Sequence, residues 1–375
     1  MQHHDVAIIG GGIAGLSLAH FLAPHRSVAV LEREAANGYH STGRSAAEFT
    51  LRDNAPAVNA LARISHAFLA RPPEGFAAVP LLTARGSLWI GPAGREDAVE
   101  RARLAAKADG VAVVALTVED AVRRVPFLDP GHVAAAYFDP DYWDIDVDQL
   151  LQGYARTARR AGAELIAGAE LLRARHDGRR WSIETSAGTF SATVLVDAAG
   201  GWADTVAGLC GVAPAGIVPH RRTAITVDLP AEIDAGALPE VNEIDETYYF
   251  KPDAGRLLVS PADETLCEAS DAQPEELDIA YAVHYLEEAT TLKVRRIASS
   301  WAGLRSFSAD RLPVIGPAAD NPAFFWLAGQ GGYGILTSPA IGALAAALIT
   351  GTALPEAFEA NAVDPALFSP RRFRR

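Results

Sequence analysis

Gly10, Gly12 and Gly15 stand near the start of the chain as G-x-G-x-x-G, and Glu32 follows about twenty residues later, the spacing at which a carboxylate meets ribose hydroxyls. Each glycine has a task in holding a dinucleotide. The first frees a tight turn out of a strand, the second removes a Cβ from the path of a pyrophosphate, and the third lets a helix close on the sheet. The helix start then offers unpaired N–H groups and the positive end of its dipole to the phosphates. A second cluster, Gly329, Gly331, Gly332 and Gly334 around Gln330 and Tyr333, precedes an Ala/Leu-rich stretch near the other end. A plain strand-to-helix joint does not need four glycines, whereas a loop lying against a ligand does. N–H groups at the start of the next helix would stabilise an anion there. The two cysteines lack the spacing of a metal site, and no Ser-His-Asp set or paired carboxylate is apparent. His40 and His220 are read as holding a loop and a strand in place.

These residues need particular elements beneath them. Residues 5–9 (D-V-A-I-I) read as a buried strand, 16–23 as an apolar helix and 27–31 (S-V-A-V-L) as a second strand, together a βαβ unit. Residues 55–70 have helical spacing and end before Pro72-Pro73. Residues 81–91 read as one strand crossing, 96–106 and 118–125 as helices, and 133–137 as a strand. The chain then returns to the first pattern, with a helix at 148–161, a parallel strand at 163–166, a meander of hairpins over 171–192, and T-V-L-V-D-A-A-G-G-W at 193–202, a strand running into a glycine turn. A second departure places strands at 217–227, 247–251, 256–260, 293–296 and 298–304, and a helix at 277–288. Strand alternation sends Arg221 and Arg222 to opposite faces. It puts Tyr249 with Lys251 on one face and Tyr248 with Phe250 on the other. The last return is a strand run at 311–317, the run into the second glycine loop at 324–335, and a helix at 338–349.

The 375 residues hold enough core for two or three domains, and an apolar content of 49% argues against disorder. A net charge of −13, with Lys107, Lys251 and Lys293 the only lysines, argues against nucleic acid and against a polybasic membrane patch. Cys210 and Cys267 are read as buried free thiols. The first strand begins almost at once behind acidic Asp5, so no signal peptide is expected. No uncharged run has the length of a spanning helix, although 338–350 is strongly apolar. A soluble, cytoplasmic protein without an integral membrane segment is the expectation.

Behind Glu32 runs R-E-A-A-N-G-Y-H-S-T-G-R-S-A-A, a small-residue loop where a nicotinamide-binding unit would pass into an ordinary helix. That loop, with Y-F-K-P-D-A-G, E-E-A-T-T-L, W-A-G-L-R-S-F and Q-G-G-Y-G-I in this order, resembles the FAD-dependent D-amino-acid oxidase superfamily over nearly the whole chain, and within it the D-arginine dehydrogenase type of D-amino-acid dehydrogenase. The resemblance implies an α/β fold: a doubly wound, Rossmann-like FAD domain from residues 1–50, 144–210 and 308–375, and an α+β substrate domain with a mixed sheet from 51–143 and 211–307. It implies non-covalent FAD. Beside Gly10, Gly12, Gly15 and Glu32, cofactor contacts would come from Ile13, Ala14, Arg33, Ser41, Thr42, Arg44, Ser45, Ala46, Ala47, Leu171, Gly200 and Gly303. The second glycine loop, Gln330, Gly331, Gly332, Tyr333, Gly334 and Ile335, would lie against the isoalloxazine ring.

A 2-amino acid presents a carboxylate to be fixed, an α-hydrogen that leaves as hydride and an amine that becomes an imine. Positioning of the α-carbon is most of the catalysis. Arg222 and Arg305 are the candidates for a carboxylate clamp and Tyr249 for a third hydrogen bond, while Arg221 is read as structural. The expected reaction is oxidative deamination of a D-amino acid. Alternatives are a glycine- or sarcosine-type amine, a 2-hydroxy acid, a tRNA base carbon, or a non-catalytic FAD-binding subunit; the negative charge and the clamp argue against tRNA. The resemblance implies a dehydrogenase, with an oxidase as the alternative; the electron acceptor is open between a quinone, another carrier and oxygen, and Lys251 is read either as reaching the flavin and favouring oxygen or as structural. Gly332 and Tyr333 are expected to face the substrate. The resemblance implies that enzymes for basic substrates carry a pocket acid where Ser87 stands here; Glu48 and Asp53 are the nearby acids that could replace it, a surface loop charge being the other reading of Glu48. Side-chain preference is therefore expected to shift towards neutral or apolar unless Glu48 turns inward.

Overall fold

The computed structural model describes residues 2–52 and 54–373. Among them the chain opens on the expected βαβ unit. Strands Gln2–Ile9 and Val28–Leu31 pair in parallel across the helix Ile13–Leu22. Their Val, Ile and Leu side chains are buried on both faces, as a strand covered by helices on either side requires. The strands Gln2–Ile9, Val28–Leu31 and Glu164–Ile166 run parallel, and the hairpins Leu171–His176 and Trp181–Thr185 extend the same eight-stranded sheet. Helix Ile13–Leu22 packs against Ser338–Thr350 so closely that a Cβ on Gly342 would lie 2.9 Å from Ser17 backbone.

Strand Gly188–Asp197 differs from the sequence reading, which split it at residue 192. It is continuous. Residues 188–192 pair antiparallel with Trp181–Thr185 on one side, residues 190–197 pair parallel with Gln2–Ile9, and residues 195–197 pair parallel with Phe324–Ala328. One strand thus closes the meander and joins the sheet centre, which local periodicity cannot distinguish from two strands.

A nine-stranded sheet holds the segments that depart from this pattern. Its longest pair is Val218–Val227 against Ile297–Phe307, and Arg256–Ser260, Tyr249–Asp253, Glu240–Glu243 and Ser87–Gly91 follow in order. One face is an apolar core of Leu88, Ile90, Ile225, Val241, Phe250 and Val259 under helix Glu276–Ala289. Residues 81–91 do not form one strand. Gly86, at φ +69°, breaks them into Leu82–Ala84, which joins Glu48–Thr50 and Tyr142–Ile145 in a three-stranded sheet, and Ser87–Gly91. Residues 293–296 are not strand; Ile297–Phe307 starts after them. Strands Glu48–Thr50, Val114–Leu116 and Glu240–Glu243 had no signal in the sequence, being short and, in the last, rich in acid. No helix among the described residues is long and apolar enough to cross a membrane.

Candidate active site

A cleft runs between the two large sheets. At one end stands the turn after strand Gln2–Ile9. Gly10 sits at φ +108°, and a Cβ there would lie 2.5 Å from Ala198 O. A Cβ on Gly15 would lie 2.0 Å from Gly10 O, so both positions exclude any side chain. Glu32 is nearly buried at the tip of Val28–Leu31. Its Oε2 accepts from Gly11 N at 2.6 Å and its Oε1 from Glu34 N at 2.8 Å. Thr42 Oγ1 accepts from Ile13 N at 3.0 Å, which ties the loop behind Glu32 to the helix start. Arg33 lies over the Trp202 ring, 4.7 Å from its centroid. Ser41, Thr42, Arg44, Ser45, Ala46, Leu171, Gly200 and Gly303 also line the cleft, as do Gln330, Gly331, Gly332, Gly334 and Ile335. Ala14, Gly10, Gly12 and Ile13 also line it, whereas Ala47 lies behind the wall and Gly15 serves helix packing.

The nine-stranded sheet turns its second face to this cleft, and its register gathers side chains from distant segments. Arg222 lies opposite Gly303, Ala224 opposite Trp301 and His220 opposite Arg305. Tyr249 lies opposite Asn242 and Ser260. Paired residues share a face, so Arg222, Tyr249 and Arg305 reach one region, and all three line the cleft. Arg221, on the other face, pairs with Glu275 and with Asp278 at 3.0 Å, as expected of a structural arginine.

Arg222 donates Nε to the Asp263 carbonyl at 2.6 Å, which orients its guanidinium and leaves both Nη groups. The Asp263 carboxylate instead accepts from Thr223 N at 2.6 Å and Thr223 Oγ1 at 3.1 Å. Among the described residues neither Arg222 nor Arg305 has a carboxylate within ion-pair distance. Burial, and then the like charge of Arg305, push the pKa of Arg222 down. Two guanidiniums held together without a counter-ion are a site for an anion. Arg305 is fixed by its surroundings: Ser306 bridges to Gly331, whose N–H donates to Ser306 O at 2.9 Å, and a Cβ on Gly332 would lie 3.1 Å from the Arg305 guanidinium.

The structure places several of these residues away from the cleft. Tyr333 does not line the cleft: its hydroxyl donates to Arg311 O at 2.9 Å and its ring meets Phe307 edge-on, because the glycine turn directs it away. Ser87 is fully buried, accepts from Asn242 Nδ2 at 3.0 Å, and is not at the cleft surface. Glu48 neighbours Glu240 and Lys251 and is likewise off the lining. Lys251 does not reach into the cleft; it pairs with Asp144 at 2.6 Å and donates to Ala46 O at 2.8 Å. Asp53 lies outside the described residues. His40 holds its loop as read, through Glu34 at 2.9 Å. Cys210 is buried, but Cys267 is only half-buried; both are free. Among the described residues no group of His, Cys, Asp or Glu could hold a metal ion.

The sequence reading missed Asp263, which aims Arg222, and Trp301, whose Nε1 donates to Arg44 O at 3.1 Å. It also missed Ala224, Leu258 and Ala262, which with Ala46, Tyr249 and Trp301 form an apolar patch beside the clamp. Period-two alternation from Arg222 would have found Ala224; the others depend on cross-strand register.

The residues at the first glycine turn fit a dinucleotide: a backbone cradle that a Cβ would fill, a helix start above it and a buried acid at the following strand tip. A sequence profile of the DAO family, FAD dependent oxidoreductases, matches residues 5–348. Glycine oxidase of Geobacillus kaustophilus is 26% identical over 363 residues, covering 93% of this chain and 94% of that protein. Its crystal structure superposes with a TM-score of 0.85 at 25% identity, covering all of both chains. Hydrogen cyanide synthase subunit HcnC of Pseudomonas aeruginosa is 28% identical over 230 residues, 60% of this chain and 52% of that protein. The chain thus spans about half of that relative's length and nearly all of the glycine oxidase. The likeness to D-arginine dehydrogenases is narrower than what these relatives show.

Proposed function

Because the chain belongs to the FAD dependent oxidoreductase family, we propose that it oxidises a small amino or imino acid, of the glycine or sarcosine kind, at the carbon beside its carboxylate. The observation that carries this reading is the pair Arg222 and Arg305, converging without a protein counter-ion on the cleft that holds the glycine loop. Bound FAD supplies the hydride acceptor.

Everything else is the work of this chain's side chains. The two guanidiniums take the carboxylate, Arg222 aimed by the Asp263 carbonyl and Arg305 by its place one residue before the bridge to Gly331. Tyr249 adds a hydroxyl from the adjacent strands. With the carboxylate fixed, the α-carbon has few positions left, which lowers the entropic part of the barrier. The patch of Ala46, Ala224, Tyr249, Leu258 and Trp301 excludes water on one side and offers apolar surface to a short side chain. That patch supports a second reading, a D-amino acid with a small apolar side chain. A basic side chain finds less support, since the nearby acids face Lys251 and not the cleft. In this reading residues 1–50, 144–210 and 308–375 serve the cofactor and 51–143 and 211–307 the substrate. The electron acceptor is a carrier or oxygen.

Anaerobic bleaching of the flavin tests the proposal. Glycine, sarcosine, N-methylated amino acids, D-alanine, D-leucine and D-arginine would be compared with their decarboxylated amines. Bleaching by a small carboxylate-bearing amine, and not by its decarboxylated partner, is expected. Equal bleaching by both would refute the clamp, and no bleaching by any would favour a non-catalytic subunit. FAD released by acid precipitation would establish that the cofactor is not covalently held.

A further inference from the structure

Behind Ala46 lies a closed cluster of charge. Lys251, 3% exposed, donates Nζ to the Ala46 carbonyl at 2.8 Å and pairs with Asp144 Oδ1 at 2.6 Å. Asp144 Oδ2 takes Arg85 Nε at 2.8 Å and Nη2 at 2.5 Å. Glu240, 2% exposed, accepts from Asn242 Nδ2 at 3.1 Å, and burial and then the neighbouring Glu48 push its carboxyl well above the usual carboxylate range. Asp144 thus joins the two cations, Lys251 and Arg85, and Glu240 and Glu48 stand beside Lys251. Burial opposes the charge on Lys251, but Glu240 and Asp144 hold its pKa above the ordinary range.

The lysine's one hydrogen bond outside this cluster goes to the turn at residues 44–47. Arg44, Ser45 and Ala46 line the cleft, and the turn is pinned from behind at three carbonyls. Trp301 Nε1 holds Arg44 O at 3.1 Å, Lys251 holds Ala46 O, and Ile145 N holds Ala47 O at 2.7 Å. Ala47 sits at φ 60°, a conformation a side-chain-bearing residue keeps only when its surroundings impose it. Of the three pins, only Lys251 carries a charge.

We infer that Lys251 is a positioning residue for the cofactor: anchored by Asp144 and balanced by Glu48 and Glu240, it holds the Ala46 carbonyl and so sets the turn 44–47 against the flavin. The inference rests on the FAD reading of the cleft and is independent of the substrate. It gives Lys251 a task at the turn in place of one at oxygen.

Lys251→Met in the holoenzyme is the test. The Kd for FAD, read from quenching of flavin fluorescence as apoprotein is added, should rise about tenfold, the scale of one charge-assisted hydrogen bond. The flavin absorption band should shift, and kcat should fall with the substrate's KM little changed. Lys251→Arg, which restores charge and donor, should recover part of the affinity and the spectrum. A Lys251→Met protein with unchanged FAD affinity and spectrum, altered only in Tm or in reoxidation by air, overturns the inference. Where that variant does not fold, Asp144→Asn decides. It keeps the ammonium and removes its anchor, so a smaller loss of FAD affinity is expected, and unchanged affinity overturns the inference. Affinity and spectrum are read without substrate, so they stand or fall apart from the substrate proposal.

Discussion

Along the eight-stranded sheet the cleft is shaped at its turns by glycines, Gly10 and Gly12 at the first turn, Gly200 after strand Gly188–Asp197, and Gly331, Gly332 and Gly334 in the last loop. Along the nine-stranded sheet it is lined by side chains that reach out from the register, Arg222, Tyr249 and Arg305. The first kind of wall is shaped by the local path of the chain, and a single methyl group in the wrong place blocks it. The second is shaped by strand pairing, and a side chain can be exchanged while the strands stand. Damage to the first wall should therefore remove the cofactor, and damage to the second should remove only turnover.

Gly15→Ala gives the sharpest test of that contrast. Its Cβ would stand 2.0 Å from Gly10 O in the turn and 3.2 Å from Ile8 Cγ2 in the strand before it. Loss of more than about 4 kcal/mol and a colourless protein are expected, read from Tm and from the ratio of flavin to protein absorbance. A fully yellow Gly15→Ala protein would end the distinction between the two walls.

On the other wall, Arg222→Met and Arg305→Met should each stay yellow while kcat/KM falls by ~2–5 kcal/mol, the cost of removing one partner from a desolvated charge pair. Arg221→Met is the control. It strands Asp278 on the opposite face, so Tm should drop with kcat/KM unchanged. Normal turnover in both Arg222→Met and Arg305→Met would remove the clamp from the cleft.

Acid and base should separate His20 and Glu240. His20 packs among Phe21, Phe68, Phe76 and Tyr154 under the eight-stranded sheet, and burial pushes its pKa down to about 4 from 6.5. As pH falls through that window the unfolded chain takes up a proton that the folded one resists, so stability is lost, by ~3 kcal/mol at most. Glu240 goes the other way. Burial and the neighbouring Glu48 push its carboxyl well above 4.5, so the folded protein keeps a proton that the unfolded chain gives up, and stability is lost as pH rises from 4.5. In plots of Tm against pH, His20→Gln should flatten the acid limb and Glu240→Gln the limb above pH 4.5. The reverse assignment would contradict the burial of both groups.

The same contrast explains what could be read from the sequence. Gly10, Gly15 and Glu32 are local constraints, and local constraints leave fixed spacings. Arg222 and Arg221 could be told apart because alternation is local too. Glu48 could not be placed, since its direction depends on Glu240, far away in the chain, and on a short strand with no pattern of its own. Tyr333 looked like a cleft residue because of its glycine neighbours, yet the turn those glycines allow is what sends it to Arg311. Asp263 turns Arg222 through its carbonyl, and nothing in its immediate sequence marks it; Trp301 opens W-A-G-L-R-S-F, but its hydrogen bond to Arg44 O depends on how distant segments pack.

The bridge between Ser306 and Gly331 makes a short ruler. Arg305 stands one residue before it and Gly332 one residue after, so the span from carboxylate clamp to glycine loop is set by a single rung. The intervening chain, with its strands Val314–Pro317 and Phe324–Ala328, runs outside that span. Turns there can lengthen or shorten over generations without altering the gap in which a substrate must fit. A change of side chain in the apolar patch of Ala224, Leu258 and Trp301 would then reshape the cleft beside Arg222 and leave the gauge itself as it is.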